Sequence, residues 1–303
     1  MTRAGLQGKV LLSVPNVSEG RDTALIRELA AAVASCPGVR LLNHSHDRDH
    51  HRSVYAYLGE PEAVLDATKA LASLALDRID MRRHSGEHPR LGALDVVPFV
   101  PVRDVSEQEA VEITRRFGRF VAARGIPVYY YEAAALRPER RALPEIRRGG
   151  YEGLAAKLAR PEGRPDEGPA SFHPKSGAVV TGVRGPLIAF NVNLLSDDVE
   201  LAQAIARAVR ERDGGLPGVR AIGVALRERG MTQVAMNLTD PSRTGLHTVL
   251  EAVRTAAAQR GVEVAGSELI GPVPLEAVVD LFRASTRAAG FRSDQIVELG
   301  FLE

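Results

Sequence analysis

Tryptophan is absent from this 303-residue chain, aromatic residues make up only 5% of it, and cysteine occurs once, at Cys36. A single cysteine forbids an intramolecular disulfide and makes the cytoplasm the expected compartment. Scarce aromatics, with no K/R-G-F/Y-G/A-F-V signature, argue against an RNA-recognition module. Charge of one sign is also lacking: 39 Lys and Arg against 38 Asp and Glu give a formal net charge of +1. A nucleic-acid binder that works by neutralising phosphates is usually more basic, so nucleic acid is not an expected partner. No apolar run approaches the ~20 residues of a membrane span, so no membrane partner is expected either. The opening MTRAGLQGKVLLSVPN carries too short an apolar run for a signal peptide. The 45% apolar and 25% charged residues that remain are ordinary for a soluble globular protein long enough for two domains.

Hydrophobic periodicity gives one order of elements twice. Val10 to Val14 is a short apolar run, and Asn16 with Ser18 marks a turn. Leu25, Ile26, Leu29 and Val33 follow at helical spacing until Pro37-Gly38 stops them. Val39 to Leu42 and Ser53 to Leu58 read as strands, a helix begins near Pro61, and Leu91 to Val102 reads as a long apolar strand. That is the β-α-β-β-α-β order of a ferredoxin-like plait. From Leu187 it recurs: LIAFNVNL as a strand, Ser196 or Asp197 as cap of a helix carrying Leu201, Ile205 and Val209, strands at Val219 to Leu226 and Thr232 to Leu238, a helix face of Leu246, Val249, Leu250 and Val253, and a strand at Val262 to Ala265. PGVR occurs at Pro37 and again at Pro217, in equivalent positions. The expected fold class is therefore α/β, built of two ferredoxin-like plaits, with boundaries at 1–184 and 185–303.

Extra material separates the halves. Ser106 and Glu109 form a capping box for a helix ending near Arg124, and IPVYYYE is another strand. The basic stretch after it reads as helical in pieces. Between Pro161 and Gly177 stand Pro161, Pro165, Pro169 and Pro174 with three glycines, a linker's composition. That stretch also carries Phe172, His173 and Lys175 within four residues, which suits a ligand-binding loop.

The chemistry concentrates in MRRHSGEHPRLGALDVVPFVPV, from Met81 to Val102, where His84, Glu87, His88 and Arg90 share one bend before the apolar strand. Gly86 and Pro89 make that bend a turn and not a helix interior. Six of the eight histidines lie between His44 and His88. Their spacing matches no common metal site: in HSGEH the glutamate falls one residue before the second histidine, and Gly86 disfavours the helix that would present both rings. No metal is expected, although a metal-dependent hydrolase built on HSHDRDHH stays open as an alternative. General acid–base chemistry at His88 is the stronger reading, because imidazole both takes and gives a proton near neutrality. Glu87, or a carboxylate from Asp47 or Asp49, could orient that ring, and Arg90 could hold a substrate carboxylate. In LIAFNVNL, Ile188, Phe190, Val192 and Leu194 share one face, which leaves Asn191 and Asn193 on the other for a second layer or a ligand.

Six segments together resemble one family: VPNVSEGR, HRSVYAYLG, IDMRRHSGEHPRLGALDVVPFVPV, GPASFHPKSGAVVTGVR, LIAFNVNLL and GSELIGPVPLEAV. They are similar to glutamate formimidoyltransferases, the formiminotransferase part of the bifunctional formiminotransferase-cyclodeaminases, over nearly the whole chain. The resemblance implies transfer of a formimidoyl group between N-formimidoyl-L-glutamate and N5 of tetrahydrofolate, in histidine degradation. It implies two plait-like subdomains with sheets face to face and a homodimer. It places the catalytic role on His88. The folate-binding segment falls on Gly168, Pro169, Ala170, Ser171, Phe172, His173, Pro174, Lys175, Ser176 and Gly177. Arg52, Arg90 and Arg184, each inside a matched segment, are the candidates to hold substrate carboxylates, with Asn191 and Asn193 as further binding candidates. With the chain ending at Glu303, release of ammonia is expected to need a separate cyclodeaminase. A folate enzyme acting on 5-formyltetrahydrofolate from the same scaffold is the other reading.

Overall fold

A computed structural model of the chain describes residues 8–301. Backbone contacts divide it into two compact units, Gln7–Arg184 and a second beginning at Gly185.

The first unit runs β1 (Val10–Ser13), β2 (Asn16–Val17), α1 (Thr23–Ala34), β3 (Val39–Asp47), β4 (Arg52–Gly59), α2 (Pro61–Arg78), β5 (Leu94–Arg103), α3 (Glu107–Ala122), β6 (Val128–Glu132), α4 (Leu143–Arg147), α5 (Leu154–Leu158) and β7 (Val179–Val183). β1 and β2 lie between the same two neighbours, β4 and β5, so they are one strand interrupted at Pro15, which has no N–H for the ladder. The sheet order is β3, β4, β1/β2, β5, the antiparallel order of a ferredoxin-like plait, extended by β7 and β6 in parallel. Asn16 therefore belongs to the sheet, where its pattern had suggested a turn.

Alternation explains why β5 and β6 read as unbroken apolar runs. Val97, Phe99, Val128, Tyr130 and Val179 face the main core with Leu29, Leu65 and Phe117 from α1, α2 and α3. Val96, Tyr129, Tyr131 and Val180 point the other way, onto Ile146, Leu154 and Leu158 of the short helices α4 and α5. Both faces are covered, so both must be apolar.

In this unit two strand boundaries and one cap differ from expectation. β3 continues through His44 and His46 to Asp47, paired with β4 as far as Asp47↔Arg52. It is an edge strand, with no further neighbour among the described residues, and polar side chains are tolerated there while the backbone still pairs. β5 begins at Leu94 and not Leu91, because the Leu91 N–H is taken by the Asp95 carboxylate at 2.8 Å. The capping box is half formed: Ser106 Oγ accepts from Glu109 N, but the Glu109 carboxylate pairs with Lys9 Nζ at 2.8 Å.

The second unit repeats the plait with β8 (Ile188–Leu194), α6 (Val199–Val209), β9 (Val219–Leu226), β10 (Met231–Leu238), α7 (Leu246–Ala258) and β11 (Val264–Ile270), followed by α8 (Leu275–Thr286). Its sheet order is β11, β8, β10, β9, all antiparallel. Ile188, Phe190, Val192 and Leu194 pack with Ala202, Ile205, Val249 and Val253 of α6 and α7. Asp198, not Ser196 or Asp197, caps α6, its Oδ1 accepting from Glu200 N and Leu201 N. β11 starts two residues later than Val262 and runs five beyond Ala265. Among the described residues no helix is long and apolar enough to cross a membrane.

Candidate active site

His88 lies on the bend between α2 and β5, half-buried. Its Nδ1–H donates to the carbonyl of Pro89 at 2.8 Å, which leaves Nε2 as the basic nitrogen. The orienting group is thus a backbone carbonyl, where the sequence had pointed to a carboxylate. Burial, reinforced by the charges of Arg52 and Arg147 and by His50, holds the His88 imidazole well below its ordinary pKa. The His50 ring lies 5.6 Å away, tilted by 51°.

Beside this ring stands a buried charge cluster. Asp95 on β5 is fully buried and its Oδ2 is shared by Arg52 Nη1, at 2.7 Å, and Arg147 Nη2. Arg52 Nε donates to Asn16 Oδ1 at 3.0 Å, so β2, β4, β5 and α4 all meet here. Desolvation draws Arg52 down to about 10, the Asp95 charge opposing it. The same two guanidiniums keep the Asp95 carboxyl below its ordinary value against its own burial. Two cations on one anion leave a net positive charge next to His88, suited to an anionic substrate.

A second histidine pair braces the bend. His51 and His84 stack with centroids 4.1 Å apart and planes 10° apart. His51 Nδ1–H donates to Ser85 O at 2.8 Å, and His51 Nε2 faces Glu19 Oε1 at 3.3 Å. His84 Nε2–H donates to His51 O at 2.8 Å, and its Nδ1 accepts from Arg90 Nε at 3.2 Å. Burial draws His84 down to about 4. The Glu19 carboxylate is held at about 2 by His51 and by backbone N–H groups, against the desolvation that would raise it.

The other sequence candidates fall into three places. Arg90 is engaged by Glu152, at 2.6 and 2.9 Å, as well as by His84. In the loop, Gly168 to Ser171 is exposed, whereas Phe172 packs against the Tyr151 ring at 5.3 Å. From His173 onward the loop is tied to the bend. Met81 N donates to Lys175 O, Ala93 N to Ser176 O, Gly177 N to His173 O and Lys175 Nζ to Asp77 O. Gly177 adopts φ +67° with Leu91 O 2.1 Å from where a Cβ would lie, so only glycine fits that crossing. Arg184 directly follows β7, half-buried beside Tyr131. Asn191 and Asn193 stand in the second unit, on the face of β8 away from its core. Asn193 there donates to Glu268 Oε1 at 3.0 Å and accepts from Gln233 Nε2 at 2.8 Å. Among the described residues no three His, Cys, Asp or Glu side chains converge as a metal site.

Sequence reasoning missed Asp95, Arg147, Glu19 and Asn16. Asp95 had a signal, as the one charge inside the apolar run Leu91 to Val102, since a buried charge needs a partner. Arg147, among many arginines, had none.

Comparison with known sequences decides the family. The formiminotransferase domain, N-terminal subdomain, matches residues 10–184, and the formiminotransferase domain matches residues 189–289. The chain belongs to the formiminotransferase family. Within that family it is 42% identical to the glutamate formimidoyltransferase of Streptococcus pyogenes serotype M1, over 90% of this chain and 92% of that one. It is 40% identical to the glutamate formimidoyltransferase of Thermoplasma acidophilum, over 94% and 95%. The formimidoyltransferase-cyclodeaminase of Rattus norvegicus is 46% identical over 88% of this chain, which spans about half of that protein's length.

Proposed function

We propose that this formiminotransferase moves a formimidoyl group between N-formimidoyl-L-glutamate and N5 of tetrahydrofolate, with His88 as the general acid and base. The observation that carries the role of His88 is its fixed tautomer: Nδ1–H is spent on Pro89 O, and Nε2 is kept unprotonated by burial and two nearby guanidiniums. The names of the relatives support the reaction. In the forward direction N5 attacks the formimidoyl carbon, and a new C–N bond forms as the N5 proton passes to His88 Nε2. The tetrahedral intermediate then breaks its bond to the glutamate nitrogen, which takes that proton as it leaves. One imidazole serves both transfers, and the protein is unchanged at the end.

The glutamate carboxylates suit the net positive Arg52–Asp95–Arg147 cluster, with Arg184 as a further cation. The Phe172–Tyr151 pair offers an aromatic surface to the pterin, at the head of the loop Gly168 to Gly177. In this reading residues 1–184 carry the catalytic histidine and the folate loop, and 185–303 form the second formiminotransferase subdomain. Neither step calls on a metal. The reading extends to a cytoplasmic homodimer that passes formimidoyl-folate to a separate cyclodeaminase, and sedimentation of the purified protein tests the dimer.

The deciding experiment assays the purified protein with tetrahydrofolate and N-formimidoyl-L-glutamate, against 5-formyltetrahydrofolate alone. Activity only on the formyl compound would overturn the substrate assignment. His88→Asn is expected to lower turnover by ~10²–10⁴-fold with little change in folate affinity, the usual contribution of a positioned acid–base group. Near-normal turnover in that variant would overturn the catalytic role.

A further inference from the structure

His51 occupies a left-handed backbone position, φ 48°, at the end of the β3–β4 turn. A non-glycine residue is held there only when its surroundings over-determine it. Both ring nitrogens face acceptors, Ser85 O at 2.8 Å and Glu19 Oε1 at 3.3 Å. The ring is thereby held at both nitrogens, between the bend and the Glu19 carboxylate. The neutral His84 ring lies flat on it and returns a hydrogen bond to the His51 carbonyl. Glu19, His84 and, through His84, Arg90 are the ionisable groups gathered at this ring.

The chain neighbours of His51 belong to the site itself. His50 lies against the His88 ring, and Arg52 bonds Asp95. Ser85, which His51 holds, is three residues before His88 on the bend. Glu87 N also bonds Asp49 O at 3.1 Å, so turn and bend are laced together on both sides of His51. We propose that His51, bridging Glu19 and Ser85 O, is the positioning residue that sets the bend carrying His88. This rests on the catalytic reading of His88 above. His51 touches no reacting atom in it. Its effect is on where Nε2 of His88 lies.

The test uses His51→Asn and Glu19→Gln, with His46→Asn, exposed on β3, as a control. Asparagine tolerates the left-handed region, so the backbone can be kept while the bridge between Ser85 O and Glu19 is lost. Both variants are expected to lose about tenfold to a hundredfold in kcat, as misplaced catalytic groups do, with KM for either substrate unchanged. His46→Asn should match the native enzyme. A folded His51→Asn with native kcat, or a loss in kcat matched by a rise in KM, would overturn the inference. Nitrogen-edited NMR of the native protein gives an answer even if a variant fails to fold: the His51 Nδ1 should carry a proton hydrogen-bonded to the Ser85 carbonyl, and an Nδ1 without a proton would overturn it. His88→Asn is assayed in parallel. If that variant keeps its turnover, the catalytic reading fails, whereas an inactive His88→Asn beside a native-like His51→Asn sinks only the role of His51.

Discussion

Burial of an imidazole beside two guanidiniums sets the pH behaviour of the site. Burial first, and then the charges of Arg52 and Arg147, disfavour the protonated form of His88, so the ring stays neutral as pH falls until well below its ordinary value of 6.5. The acid limb of kcat/KM is accordingly expected below 6.5 in the native enzyme. In Arg147→Gln one of the two cations is gone, and the limb should move up towards the ordinary value. A profile that does not move would mean that the Arg147 charge is not felt at His88. Asp95 is the counterpart of both cations. Replacing it with alanine strands two buried guanidiniums without their anion, a change that typically costs about 3–5 kcal/mol, to be read from urea unfolding. The local sequence shows that His88 lies on a polar bend, but the residues that tune it come from β4 and α4.

At the scale of elements, the bend and the folate loop are rigid where hydrogen bonds tie them and open where they are not. Gly86 lies against the β3–β4 turn, and a Cβ there would stand 2.5 Å from His50 O and 2.8 Å from His51 Cβ. Gly86→Ala is expected to destabilise by about 1–3 kcal/mol, as overpacking does, and to lower kcat by shifting the bend. Melting curves and kinetics on one preparation check both effects. In the loop, the amide of Gly177 is already bonded to His173 O, whereas Gly168 to Ser171 is exposed. Hydrogen exchange should therefore show folate protecting the amides of 168–171 and scarcely altering Gly177; protection confined to Gly177 would contradict the proposed contact. The plait order was readable from periodicity in both halves. The extent of β3 was not, because HSHD has no apolar alternation and is a strand only through its pairing with β4.

For the whole molecule, acid should act on the first unit before the second. His84 is drawn from 6.5 to about 4 and His88 is also lowered, so the folded state binds fewer protons than the unfolded chain as pH falls through this window. Stability is then lost between pH 6.5 and 4. Glu19, lowered from 4.5 to about 2, adds a loss further down, between those values. In the second unit, the resolved carboxylate shifts at Asp240 and Glu268 are downward, so their stabilisation is lost only as pH falls below about 4.5. All six tyrosines, Tyr55, Tyr57, Tyr129, Tyr130, Tyr131 and Tyr151, lie in the first unit and tryptophan is absent, so intrinsic fluorescence reports on that unit alone. The urea midpoint seen by tyrosine fluorescence should drop between pH 7.5 and 5. An unchanged midpoint would mean that the two histidines are not held neutral by the fold.

The sequence by itself determined the two β-α-β-β-α-β halves, the bend at His84 to Arg90 and the family, because these depend on side-chain period, turn residues and contiguous motifs. It also holds a signal that went unread at Asp95, the one charge in the apolar run Leu91 to Val102. Only the tertiary structure decided its partners, since Asp95 meets Arg52 43 residues away and Arg147 52 residues away. The same holds for His51 and His84, stacked across a gap of 33 positions that no local pattern records. Periodicity reports which face of an element is buried. The contacts between elements follow from how the sheet is ordered, and that ordering brings together residues whose chain separation carries no physical signal.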